Sequence, residues 1–339
     1  MAELRRFAVA ELENGPTPWV EPAEPFTELV ASWSAATPAG SHITVSVQAR
    51  TGERETCWLE LGRWASHDAS FRRTSVPGQE DDAATVDVDV LAARREPFRA
   101  YRLRVTATGA ARLRGLAAMT SAARREHGGQ ASEPSGVAVD LDVPAFSQLT
   151  HKGHFPEYGG GGASWCSPAS LAMVLAFWGA EPAAEELEWV GEGHENPQVD
   201  HAARGTYDAG YDGCGNWSFG AAYAAGFGLD AVVTRLSSLR EAEQLLAAGI
   251  PLVTSIAAGP GELPGFALPG GTVGHLVVLR GVAATGDALV NDPAAASDEE
   301  VPRTYPRGAF ERAWLRGSAG IGTIVSPRSL ALPPGNGAW

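Results

Sequence analysis

The first third of the chain alternates apolar and polar positions. Residues 43–50 place Ile43, Val45 and Val47 against Thr44, Ser46 and Gln48, and 85–90 do the same through Val86, Val88 and Val90. Residues 101–109 repeat the pattern through Tyr101, Leu103 and Val105. A period of two over short runs predicts strands with one buried face. Several such runs separated by turn residues predict an all-β sandwich over residues 1–119. Tryptophans at 19, 33, 58 and 64 punctuate it; a carbohydrate-stacking face is one use for them, and core packing the better fit to large apolar rings.

Periodicity stops at 120–140, where Gly, Ser, Pro and charged residues gather, so this stretch is expected to be a linker between separately folding domains. From 141 the period lengthens. Leu171, Val174, Leu175 and Trp178 fall at i, i+3, i+4 and i+7, one face of a helix. Ser167 suits its N-cap, Pro168 its first turn and Gly179 the position past its end. Further helices are expected near 182–190, 217–227 and 238–249. Strands follow at IPLVTSIA, HLVVLRGVA, DALVNDP and GIGTIVSP. Helices first and sheet afterwards predict an α+β domain over 141–327, with a short tail at 328–339.

Composition narrows the classes. The 339 residues exceed one ordinary domain, and 44% hydrophobic with 19% charged residues describe a globular chain. A net charge of −14 disfavours nucleic acid as a partner, because an acidic surface repels phosphate. No stretch approaches the ~20 apolar residues of a membrane span. The apolar run after Arg5 and Arg6 breaks at Glu11, so no signal-peptide core is seen. As written the chain is expected to be cytoplasmic; a leader removed earlier would leave the same trace and make it secreted.

Three cysteines, Cys57, Cys166 and Cys214, form no disulfide framework and no zinc-ribbon spacing. A lone cysteine is most often a small buried apolar residue. Cys166 stands apart because it sits at a helix start, where unpaired backbone N–H groups favour a thiolate nucleophile. The Gly-rich loop YGGGGAS leads into it. His275 opens an apolar strand, a position at a strand's mouth. Folding HLVVLRGVA onto DALVNDP about a turn near 284–286 sets Asp292 opposite His275 or one step off, with Asn291 facing the other way. A carboxylate there can hold one imidazole tautomer and stabilise its protonated form. Gln148, 18 residues before Cys166, carries an amide donor suited to an oxyanion; a plain loop glutamine is the other reading.

Other candidates carry less. Cys214 lies in a Gly-rich loop with His201 nearby in sequence, but no His–Asp hairpin partners it. His151 and His154, with Glu157, have metal-like spacing and lack a convincing third ligand, so they are read as loop residues near the site entrance. Glu185, Glu186 and Glu188 read as a solvated face. The Gly- and Pro-rich run 259–274 ahead of His275 suggests a lid.

The blocks VPAFSQ, SWCSPASLAMVLAFWG, GHLVVLRG and VNDP resemble the four signature blocks of the bacteriocin-processing (double-glycine) cysteine peptidase family. Within it they resemble the stand-alone, transporter-free relatives in the papain-like superfamily. The resemblance covers about 141–327. It implies a papain-like fold with Cys166 as nucleophile, His275 as general base and acid, Asp292 orienting it and Gln148 building the oxyanion hole. It also implies that no cofactor is needed. Trp217, in the block Gly215-Asn216-Trp217, and Trp165 are then candidates for substrate contact. Cys-Ser-Pro stands here where the family has Cys-Gly-Pro, and no transporter domains follow, so leader-peptide specificity need not carry over. The expectation is a cysteine peptidase acting on a peptide or protein. The rivals are a transpeptidase or ligase using the same residues and a non-catalytic peptide-binding protein on the same fold.

Overall fold

The computed structural model describes residues 2–12, 15–52, 54–122 and 131–339. Strands β1 (Ala2–Phe7), β2 (Glu28–Ala36), β3 (His42–Arg50), β4 (Leu59–Trp64), β5 (Ala84–Asp87), β6 (Val90–Ala93), β7 (Ala100–Thr108) and β8 (Arg112–Ser121) come first. They form two antiparallel sheets, ordered β1-β8-β2-β6-β5 and β4-β3-β7. Ile43, Val45 and Val47 are fully buried, as their alternation requires. The run 85–90 is not one strand. Val88 takes a φ of 56°, and the chain reverses there, so that Val86 pairs with Leu91 and Asp87 with Val90. The reversal carries the Asp89 carboxylate inward, where it accepts the Ser218 N–H at 2.7 Å.

The second half contains β9 (Val139–Asp140), α1 (Cys166–Phe177), α2 (Ala184–Leu187), α3 (Pro197–Thr206), α4 (Trp217–Gly226), β10 (Leu229–Arg235) and α5 (Leu239–Ala247). It continues with β11 (Leu252–Ala258), β12 (Thr272–Val282), β13 (Ala288–Asn291), β14 (Pro302–Tyr305), α6 (Arg307–Ser318) and β15 (Ile321–Pro327). The antiparallel sheet runs β10-β15-β11-β12-β13-β14, with β9 added against β12. Its alternation splits the core. Val278 of β12 joins the cluster containing α1 and α4, while Val277 and Leu279 join the one containing α5 and α6. α4 and α5 fall where periodicity put them. α1 begins two residues early: Trp165 rather than Ser167 is its N-cap, and Ser167 lies inside it. The 182–190 helix is α2 followed by a 3-10 turn, Glu188–Val190. No helix among the described residues is long and apolar enough to cross a membrane.

The two halves share a core. One hydrophobic cluster contains Val30, Val45 and Leu103 together with Leu171, Phe219 and Val325. Phe219 of α4 sits between two N-terminal indoles, with ring centroids 6.0 Å from Trp33 and 5.3 Å from Trp64. Ser218 Oγ donates to the Ala31 carbonyl at 2.7 Å, and the Val233 N–H to Ser32 Oγ at 2.8 Å. Of the expected linker, 123–130 lie outside the described residues. After them, the Ser132 N–H donates to Glu311 at 2.9 Å and the Ser135 N–H to Glu243 at 2.7 Å. The tail also packs back, the Leu4 N–H donating to the Gly337 carbonyl at 2.7 Å.

Candidate active site

Cys166 is the first residue of α1 and is half-buried. The His275 ring and the backbone N–H groups of Leu276 and Ser167 all act on its thiol. Burial pushes the thiol up, but the His275 hydrogen bond and charge, with the two N–H groups, hold it below the ordinary thiol value.

His275 lies on β12, paired with Ile256 of β11 and beyond the end of β13. The last β12–β13 pair is Val278–Asn291, so Asp292 continues across from Val277 and meets His275 on the diagonal. His275 Nε2 donates to Asp292 Oδ1 at 2.7 Å, and Nδ1 takes no part in that bond. Asp292 is fully buried and all its needs are met. Oδ1 also accepts the Ala294 N–H at 3.0 Å, and Oδ2 accepts the Tyr305 hydroxyl at 2.5 Å. Burial alone would depress the imidazolium; the Asp292 charge and hydrogen bond, with the Cys166 contact, push it up to about 10. Burial works against the Asp292 carboxylate too, and His275, Tyr305 and the Ala294 N–H outweigh it, keeping it below the usual carboxylate range. Asn291 faces away, as alternation requires, donating to the Val143 and Pro144 carbonyls at 3.0 and 3.1 Å.

Gln148 is buried, and its backbone N–H donates to the Pro293 carbonyl at 2.8 Å, next to Asp292. Its side-chain Nε2 donates to the Ala163 carbonyl at 2.9 Å, on the loop just before Cys166, and one amide hydrogen remains. Trp217 opens α4 and is half-buried. Trp165 is corrected as a substrate contact. It is 0% exposed and its indole N–H donates to the Tyr158 carbonyl at 2.7 Å, so it offers a substrate no surface.

Cys214 is buried, its thiol faces the Ala203 carbonyl at 3.5 Å, and burial pushes it up to about 12. His201 does not serve it; that ring meets the Tyr223 hydroxyl at 2.8 Å. Cys57 is exposed on the N-terminal half. His151 and His154 do acquire a third polar partner, and it is Asp200 of α3 rather than Glu157. The carboxylate lies 2.9 Å from His151 Nδ1 and 3.0 Å from His154 Nδ1. The three donors lie within 4.8 Å of one another, a set that can hold a metal ion, although two ring N–H groups already satisfy the buried carboxylate.

Sequence reasoning missed Tyr305 and Phe266. Tyr305 sits 13 residues past Asp292, and nothing in its strand pattern marks a hydroxyl aimed at a carboxylate. Phe266, in the expected lid, packs edge-on against the His275 ring at 5.8 Å. That stretch is pinned to α6 by Glu262–Arg316 at 2.8 Å.

Residues 5–121 match the model of the Peptidase C39 N-terminal domain, and residues 140–319 that of the Peptidase C39 like family. The chain is similar to a crystal structure of a C39-like peptidase from Bacillus anthracis, 22% identical, over 56% of this chain and 98% of that one, with a TM-score of 0.36. It is also similar to a double glycine motif protease from an AMS/PCAT transporter, solved with its leader peptide. That likeness is 20% identical over 56% of this chain and 99% of that one, with a TM-score of 0.30. No curated protein matches.

Proposed function

The chain belongs to the Peptidase C39 like family, and on that premise we propose that it is a papain-like cysteine peptidase that hydrolyses a peptide or amide bond. The observation that supports this most is the contact chain from Cys166 through His275 to a buried Asp292 at 2.7 Å. The Cys166 thiolate adds to the scissile carbonyl, forming the C–S bond. The oxyanion takes the free Gln148 amide hydrogen and helix-start N–H groups, which have no intrahelical acceptor. His275 Nδ1–H then protonates the leaving amine as the C–N bond breaks. The neutral ring takes a proton from water, which attacks the thioester and releases the acid. Asp292 stays ionised throughout and keeps Nε2 protonated. Incubation with a peptide library read by mass spectrometry tests the reading. Cleavage is expected with the native protein and none with Cys166→Ala of unchanged circular dichroism; equal cleavage by both would refute it.

A further inference from the structure

The loop 208–213 takes no part in the chemistry above. An Asp208–Gly213 bridge closes it, the Asp208 N–H donating to the Gly213 carbonyl at 2.9 Å. Its anchors come from the N-terminal half. Fully buried Asp208 accepts the Ser75 N–H on Oδ1 at 2.7 Å, and the Ala209 N–H donates to the Arg73 carbonyl at 3.1 Å. The other Asp208 oxygen accepts Asn216 Nδ2 at 2.9 Å, at the start of α4. Inside this fixed loop stands Tyr211, 49% exposed and one of three exposed large hydrophobic residues among those described.

The Tyr211 ring lies on the backbone of Gly213, where any Cβ would come within 2.6 Å of its Cε1. Gly213 in turn abuts the loop leading into the nucleophile; a Cβ on Gly159 would come within 2.9 Å of Gly213 Cα. Burial raises the pKa of the phenol most, and negative charge on Cys166 and Cys214 adds to it. A rigid ring held open to solvent on a loop that abuts the run leading into Cys166 loses little conformational entropy on contact and has apolar area to bury.

We propose that Tyr211 walls the substrate groove beside Cys166 and receives an apolar side chain of the peptide next to the bond cleaved, with residues 73–75 holding it there. The inference rests on the peptidase reading and deepens it: the N-terminal half completes the substrate site.

Three labelling reagents separate the ideas: iodoacetamide, a peptidyl vinyl sulfone with leucine beside the warhead, and the same probe with aspartate there. The native chain is expected to react with the leucine probe faster than with the aspartate probe. Tyr211→Ala should slow leucine-probe labelling about tenfold, the loss of one good apolar contact, and leave the iodoacetamide rate unchanged. Tyr211→Phe should retain most of the leucine preference. Leucine-probe labelling of Tyr211→Ala at the native rate overturns the proposal, as does an equal fall in its iodoacetamide rate, which would place Tyr211 on the thiol rather than the groove. Failure of Cys166 in the native chain to react with iodoacetamide sinks the peptidase reading itself.

Discussion

Asp292→Asn separates charge from geometry at this site. Asp292 Oδ1 holds His275 Nε2 at 2.7 Å and the Ala294 N–H at 3.0 Å, and Oδ2 holds the Tyr305 hydroxyl at 2.5 Å. Asparagine with its carbonyl at Oδ1 keeps both N–H donors, and its NH2 can donate to the Tyr305 oxygen. Ring orientation and tautomer therefore persist, and only the charge is lost. A hydrogen bond to a charged group contributes ~1.5–3 kcal/mol against ~0.5–1.5 for a neutral one, so the imidazolium loses about one to two pKa units. His275 raised to about 10 and Cys166 held below the ordinary 9.0 both favour the ion pair over the neutral pair. Each unit lost on the ring weakens the ion pair about tenfold against the neutral pair. The thiolate fraction at neutral pH should fall, with the acid limb of the profile moving to higher pH. The assay is iodoacetamide alkylation of Cys166 across pH in a Cys57→Ser/Cys214→Ser background, where one thiol remains. Asn291→Ala, on the opposite face, should leave the profile in place. An unchanged profile in Asp292→Asn, or a shift in Asn291→Ala alone, would refute the reasoning.

Gln148→Ala should lower kcat by about 10²–10³ with alkylation of Cys166 unaffected, since the amide serves the oxyanion and not the thiol; a normal kcat would return Gln148 to a structural role. Phe219→Ala, which empties the space between Trp33 and Trp64, should destabilise the whole chain by about 3–5 kcal/mol in urea unfolding, and a loss under about 1 kcal/mol would show that the halves do not share a core. The Cys166–His275 pair should also shape stability against pH. The raised His275 value contributes stability that is full below 6.5 and lost as pH rises through about 10, while the lowered Cys166 value contributes stability present above 9.0 and lost as pH falls. Above about 9 the folded chain keeps on His275 a proton that the unfolded chain has lost, so the difference in stability between the native chain and Cys166→Ala/His275→Ala should decline as pH rises through about 10; a difference that stayed level there would contradict the ion pair.

What the sequence disclosed depended on how local the signal was. The helix carrying Cys166 was legible because apolar spacing and a terminal Gly179 fall within one short window. His275 and Asp292 were legible because a hairpin makes register an arithmetic matter. α3 and α6 escaped because Pro197–Thr206 is largely polar and Arg307–Ser318 places charged residues among Ala309, Phe310, Ala313 and Trp314. The break at Val88 escaped because β-branched residues rarely adopt positive φ, and only the partner of Asp89, far along the chain, explains it. Asp200 and the Ser75–Asp208 anchor are contacts between remote segments, and no short window of the chain contains both partners. Gly, Ser and Pro at 120–140 mark where local structure ends. They do not reveal whether the flanking surfaces are dry against each other.

Phe219 lodged between Trp33 and Trp64 makes the chain a candidate for fragment complementation. Residues 1–121 and 131–339, produced as two polypeptides, each carry an unfinished apolar face that only the other can cover. Mixed together, they should reassemble without a covalent link and recover Cys166 reactivity in proportion to the scarcer fragment. Either one alone should aggregate. The peptide link between the halves then matters as a concentration device: it supplies each face with its complement at an effective molarity that two free fragments would reach only in the test tube.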